Sequence, residues 1–132
     1  MDRSTLRAEI VREMTTLVID AFEGQLRYSN AVGWWLDDGH PYATNDREMM
    51  RSGVNCAVIA ARDRLESAAP YGSPRWSVLQ TSRTYDAVLK AVRLASLRKE
   101  RPADIVVDLY NLGWSTEDEN SRYWAASRKL KP

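Results

Sequence analysis

The sequence predicts one compact all-α domain spanning residues 1–132, in which four to six helices are joined by short loops. Two observations indicate this fold class. Apolar residues recur at spacings of three and four along most of the chain, which is the period of an amphipathic helix. The chain also has the length of one ordinary domain, and no internal repeat or flexible linker divides it.

The first predicted helix begins near the N-terminus, where Asp2 or Ser4 can cap it. We expect it to end or bend at Gly24, because glycine is a poor helix former. A shorter helical piece is expected next, with Tyr28 and Trp35 on one side. The apolar stripe of the first helix consists of Leu6, Ile10, Met14, Leu17, Val18, Ala21 and Leu26.

Another helix is expected to follow Asn45, whose side chain is a good N-cap. Beside its apolar stripe, three small residues would let another helix approach closely: Gly53, Cys56 and Ala60. The same small-residue face could equally serve a homodimer. The stripe itself comprises Met50, Val54, Ala57, Val58, Ala61, Leu65 and Ala68.

The third helical region starts at Ser73, because a serine cap followed by Pro74 is a strong start signal. Its pattern continues to Pro102, although the polar run at 80–84 can split it into two helices. Residues 104–110 are rich in strand formers, so an α+β fold with a strand there is the minor alternative. We favour helix for that segment, because no second strand is expected to pair with it.

A last helix is predicted after residues 115–119, where Thr116 and Glu119 have the spacing of a capping box. Tyr123, Trp124, Ser127 and Leu130 follow at helical spacing.

The amino-acid composition limits the classes of protein to which this chain can belong. The single cysteine, Cys56, rules out an internal disulfide, and a packed thiol is the expected role for it. No apolar stretch is as long as a membrane span, and the charged N-terminus does not resemble a signal peptide. We therefore expect a cytoplasmic protein with no membrane contact.

The segment at 33–46 carries the most conspicuous polar residues. Carboxylates and an imidazole can bind a divalent metal or act in acid–base catalysis, and this segment holds Asp37, Asp38, His40 and Asp46. However, the chain has only one histidine and no metal-binding or phosphate-binding motif. We interpret the segment as a solvated turn, and we expect no catalytic residues, no metal and no cofactor.

Tryptophan and tyrosine outnumber phenylalanine eleven to one, which favours an interaction surface. Because neighbouring helical residues point about 100° apart, we expect Trp35 in the core and Trp34 at the rim. The predicted partner-binding aromatic residues are therefore Trp34, Tyr42 and Trp76.

Charge is uneven although the net charge is only +1: residues 1–40 sum to −3 and residues 71–102 sum to +5. A basic stripe on a helix over 75–101 could contact an acidic protein surface or a phosphate backbone. Its predicted members are Arg75, Arg83, Lys90, Arg93, Arg98 and Arg101.

The sequence thus favours a small interaction protein that docks onto another protein: an adaptor, a regulatory subunit or an inhibitor, with a phage or mobile-element inhibitor as one form that suits the size. The first alternative is a nucleic-acid-binding protein that uses the basic helix. The second is a hydrolase-type enzyme that uses the 37–46 loop.

Overall fold

A computed structural model describes residues 2–30, 33–37, 47–97 and 116–132, with backbone alone at 47–49 and 116–121. Within these ranges the chain forms five helices and one two-stranded hairpin, which confirms the predicted, mostly helical architecture. The elements are α1 (Arg3–Ala21), β1 (Leu26–Ser29), β2 (Gly33–Leu36), α2 (Arg47–Ala68), α3 (Pro74–Leu79), α4 (Ser82–Ser96) and α5 (Thr116–Leu130). Asn45 and residues 104–110 lie outside the described residues.

Helix α1 begins and ends at identifiable signals. The carboxylate of Asp2 accepts a hydrogen bond from the backbone N–H of Thr5 at 2.8 Å, and this donation lowers the pKa of Asp2 below its ordinary value. At the other end, the N–H of Gly24 donates to the carbonyl of Ile19 and that of Glu23 to Asp20, which is a Schellman motif. The predicted end near Gly24 is therefore confirmed.

The short helix expected around Tyr28 and Trp35 is wrong, because residues 26–29 and 33–36 form two antiparallel strands. Tyr28 lies opposite Trp34 in its register, and Gly33 adopts φ +82° where the second strand starts. Residues two apart share one face of a strand, so a period of two buries Leu26 with Tyr28 and Trp34 with Leu36 as well as a helical period would. The face that packs on the core carries Leu26, Tyr28, Trp34 and Leu36.

Helix α5 packs closely along α2, as the small residues of α2 predict. A Cβ atom added at Gly53 would overlap the Cβ atom and ring of Tyr123, which is fully buried. The ring of Tyr123 also meets Phe22 edge to face, with centroids 5.7 Å apart. Because α5 occupies the Gly53 face within one chain, that glycine is not available to a homodimer. Trp124, the next residue, points about 100° away around the helix and is exposed.

The polar run at 80–84 does split the third helical region. The hydroxyl of Ser73 accepts from the N–H of Trp76 at 3.2 Å and caps α3, and Thr81 caps α4 in the same way. The prediction that the helical region continues to Pro102 is wrong, since α4 ends at Ser96. Leu97 is extended and bridges to Tyr28 of β1, so tertiary pairing overrides the local helical pattern.

The core lies where α1, α2, α4 and α5 meet, and the hairpin covers part of it. Its fully buried side chains come from all of these helices, namely Ile10, Met14, Val18, Met50, Val54, Val58, Val88, Val92 and Tyr123, with Val78 and Leu79 from α3. In the described ranges, no helix combines the length and apolar character needed to cross a membrane.

Candidate functional site

A groove of ≈ 670 Å³ opens between the hairpin, α2 and α4. Both helices present a row of side chains spaced by four residues, which is the spacing of neighbours on one helix face. The α2 row supplies Arg51 and Asn55, the α4 row supplies Tyr85, Leu89 and Arg93, and the hairpin supplies Tyr28, Gly33 and Trp34.

Arg93 contacts an aromatic ring rather than an acid among the described residues. Its guanidinium lies over the ring of Tyr28, 5.2 Å from the centroid. The Tyr28 ring in turn meets Trp34 edge to face, with centroids 4.9 Å apart. The cross-strand pairing of Tyr28 with Trp34 therefore supports the position of the Arg93 side chain.

Arg51 stands on the α2 wall, one turn before Asn55, and it is exposed. Among the described residues, neither Arg51 nor Arg93 forms a salt bridge, and none of the side chains that line the groove is a carboxylate. The described walls of the groove thus carry two positive charges with no opposing negative charge.

Tyr85 adds a polar group at the α4 wall. Partial burial raises the pKa of the Tyr85 hydroxyl above its ordinary value, and the nearby Cys56 and Asp86 raise it further, while Arg62 opposes the shift. The hydroxyl therefore stays protonated at neutral pH. It can donate a hydrogen bond to an anion in the groove.

A smaller depression of ≈ 180 Å³ lies between the end of α1 and α5, and its charges are arranged differently. Lys129 on its wall donates to the carboxylate of Glu23 at 2.9 Å. Because that ammonium group already has an acidic partner, the depression is a weaker candidate for anion binding than the groove.

The three predicted aromatic residues have different outcomes. The prediction that Trp34 lies at an exposed rim is wrong, because Trp34 is 8% exposed and belongs to the core. Strand geometry turns its side chain inward, although it still borders the groove. Trp35 is equally buried, on the opposite face of the hairpin. Trp76 is half-buried and lies against Tyr71, with centroids 4.6 Å apart. Tyr42 lies outside the described residues.

The predicted basic stripe is only partly assembled. The prediction of a single helix over 75–101 is wrong, because two helices occupy 74–79 and 82–96 and the backbone is extended at Leu97. Arg75 on α3 pairs with Glu13 of α1, whereas Arg98 and Arg101 lie outside the described residues. On α4 the exposed members are Arg83, Lys90 and Arg93.

An acidic residue interrupts the α4 part of this stripe. Asp86 is exposed and lies seven residues before Arg93, so the two side chains leave the helix in nearly the same direction. Of the stripe members that the structure describes, Arg93 is the one that lines the groove.

Asp37 is the one member of the predicted loop site that falls in the described residues. It is exposed, and its carboxylate lies 3.5 Å from Arg27 across the hairpin. Asp38, His40 and Asp46 lie outside the described residues. Across the ranges that are described, no group of three or more histidine, cysteine, aspartate or glutamate side chains could hold a metal ion.

Sequence reasoning missed six groove residues: Tyr28, Gly33, Arg51, Asn55, Tyr85 and Leu89. The four-residue spacing on each helix was visible, but such spacing is common on solvated helix faces. What assembles the site is the approach of three elements that are distant in sequence. Neither a protein-family model, nor a curated protein, nor a solved structure matches this chain.

Proposed function

We propose that this chain is a cytoplasmic interaction protein, an adaptor, regulatory subunit or inhibitor, that docks onto another protein through the groove. The composition of the groove walls carries the proposal. Tyrosine, tryptophan and arginine dominate the energetics of protein–protein interfaces, and together they make up five of the eight residues that line the groove.

The same residues favour binding over catalysis. The described walls offer no histidine, cysteine or carboxylate to act as a base or nucleophile. The raised pKa of Tyr85 also makes its hydroxyl a poor nucleophile at neutral pH. The polar side-chain groups of the lining residues are donors suited to recognition, namely two guanidinium groups, an amide, two tyrosine hydroxyls and an indole N–H.

Site-specific photo-crosslinking in the native cell lysate tests this function. A photoreactive amino acid replaces Leu89, which is half-buried in the groove wall, and the matched control carries it at the neighbouring, exposed Lys90. We expect a discrete protein adduct from position 89 that survives nuclease treatment, and little or none from position 90. Excess unlabelled protein should compete for this adduct, whereas an Arg51→Glu, Arg93→Glu variant should not. The absence of a protein adduct at position 89 would contradict the proposal.

Nucleic-acid binding is the second candidate, favoured by the exposed cations Arg83, Lys90 and Arg93 on α4. If α4 tracks a phosphate backbone, affinity for duplex DNA or RNA should fall steeply with salt. Replacing Arg83 and Lys90 by Ala should then weaken binding as much as replacing Arg93. Salt-insensitive binding, or no binding, would exclude this candidate.

A further inference from the structure

We propose that the groove binds a short acidic peptide segment of the partner, whose aspartate or glutamate carboxylates pair with Arg51 and Arg93. This inference rests on the proposed docking function, and it names the chemistry of the partner.

Charge is the first argument. A partner that covers the groove removes water from two guanidinium groups that have no acidic partner among the described residues. A buried charge without a counter-charge is strongly unfavourable, so an apolar segment could not close the groove and a basic one would be repelled. Carboxylates supply the missing charge, and they accept two parallel hydrogen bonds from an arginine.

The arrangement of the aromatic rings favours a carboxylate ligand over a nucleotide. A nucleobase binds proteins by stacking on an open aromatic face. Here one face of Tyr28 is covered by the guanidinium of Arg93, and Trp34 is 8% exposed with its ring against Tyr28. These two rings position the arginine rather than offer a stacking platform, so the hairpin wall of the groove favours an acyclic anion.

The groove is also prepared for such a ligand. Because Arg93 already lies on the Tyr28 ring, ordering its side chain on binding costs less than ordering a free arginine. The hydroxyl of Tyr85 and the amide of Asn55 can donate to carboxylate or backbone oxygens of the segment. A volume of ≈ 670 Å³ suits a few residues of extended chain rather than a folded domain.

Fluorescence anisotropy with defined peptides tests the inference. The probe is an eight-residue peptide of alternating glutamate and serine that carries a neutral fluorophore, and its control has glutamine in place of glutamate. The protein is used as the full chain in three forms: wild type, Arg51→Gln with Arg93→Gln, and Arg83→Gln with Lys90→Gln. The two double variants lose the same charge. A defined site predicts that only the Arg51→Gln, Arg93→Gln variant binds more weakly, whereas general electrostatic attraction predicts that both do. Circular dichroism verifies that each variant is folded.

We expect wild type to bind the glutamate peptide at least about tenfold more tightly than the glutamine peptide, since truncated charge pairs commonly lose that much. The Arg51→Gln, Arg93→Gln variant should lose about the same factor, whereas the Arg83→Gln, Lys90→Gln variant should stay within about twofold. The inference is overturned if wild type does not bind the glutamate peptide or if both double variants weaken equally. A ten-nucleotide oligothymidylate that binds through Arg51 and Arg93 more tightly than the glutamate peptide would overturn the inference in favour of nucleic acid.

The crosslinking experiment separates this inference from the docking function. If the adduct at position 89 forms and the glutamate peptide does not compete for it, the groove docks a partner by other contacts and the acidic segment is wrong. If the peptide binds at Arg51 and Arg93 but no protein adduct forms, the docking function is wrong while the carboxylate preference of the groove stands.

Discussion

The two sides of α2 differ in what they contact. On one side, Gly53 lets the backbone of α5 approach until its Tyr123 fills the space where a side chain would be. On the other, about 160° and 200° around the helix, Arg51 and Asn55 face an open groove. The hydrophobic core fills the sector that includes Val54 and Val58.

This difference separates stability from binding on a single helix. The side at Gly53 gains stability from close packing, and it excludes every side chain larger than hydrogen. The side at Arg51 keeps long charged side chains in solvent, where they contribute little to stability but remain available to a ligand. Substitutions on the first side should therefore destabilise the protein, while those on the second should mainly change what it binds.

The largest expected effect comes from the centre of the packed side. Tyr123→Ala removes a fully buried ring that contacts Phe22, and should lower the free energy of unfolding by about 3–5 kcal/mol. Urea denaturation followed by circular dichroism measures this loss. The exposed neighbour Trp124 provides the control, since Trp124→Ala should cost clearly less. Equal losses for the two variants would mean that α5 is not packed through Tyr123.

The next effect tests the close approach itself. Gly53→Ala should destabilise the protein by about 1–3 kcal/mol, because the new methyl group overlaps Tyr123. This is the net loss, because the gain in helix propensity, roughly 1 kcal/mol, offsets only part of the larger cost of the overlap itself. Ser52→Ala, at the exposed position next to it, has no such overlap and should leave the urea midpoint unchanged or slightly higher. If Gly53→Ala behaves like Ser52→Ala, the two sides of α2 are not different.

On the open side, the double variant Arg51→Gln, Arg93→Gln should lose no more than about 1 kcal/mol. That amount corresponds to the cation–π contact between Arg93 and Tyr28, since neither arginine takes part in a salt bridge among the described residues. The same urea experiment measures it. A loss comparable with that of Tyr123→Ala would show that the groove is part of the structural core.

The smallest effect concerns the Tyr85 hydroxyl. Because burial first, and then Cys56 and Asp86, raise its pKa, the neutral form is favoured in the folded protein. Its contribution to stability should therefore be complete below about pH 10 and be lost as pH rises through the higher folded-state pKa. Tyrosinate absorbance of the wild type minus that of Tyr85→Phe isolates the titration of this hydroxyl, and its midpoint should lie above the ordinary tyrosine pKa. If the difference curve has the ordinary midpoint, the environment assigned to this hydroxyl is wrong.

Much of the packed side could be predicted from the sequence. Helical spacing located α1 and α2, Gly53 signalled the close approach of a helix, and Ser73 marked the start of α3. These features depend on residues near one another in the chain, whose local preferences agree with the final fold. The exception is α4, where a bridge between Leu97 and Tyr28 ends the helix before its sequence pattern does.

The open side could not be predicted in the same way. The hairpin was mistaken for a helix because short apolar runs fit both periods, so Trp34 was placed at a rim instead of in the core. Arg93 was included as one member of a long stripe, but its importance depends on Tyr28 lying beneath it. Such a contact joins residues that are far apart in sequence, and no local pattern records it.

Amide NMR of the full chain, titrated with the glutamate–serine peptide, tests most directly whether α2 has a binding side and a packing side. We predict progressive shifts at Arg51, Asn55 and Leu89 and at the side-chain Nε–H of Arg93, with the signals around Tyr123 unchanged. Shifts concentrated on α5, or on Tyr71 and Trp76, would contradict the account.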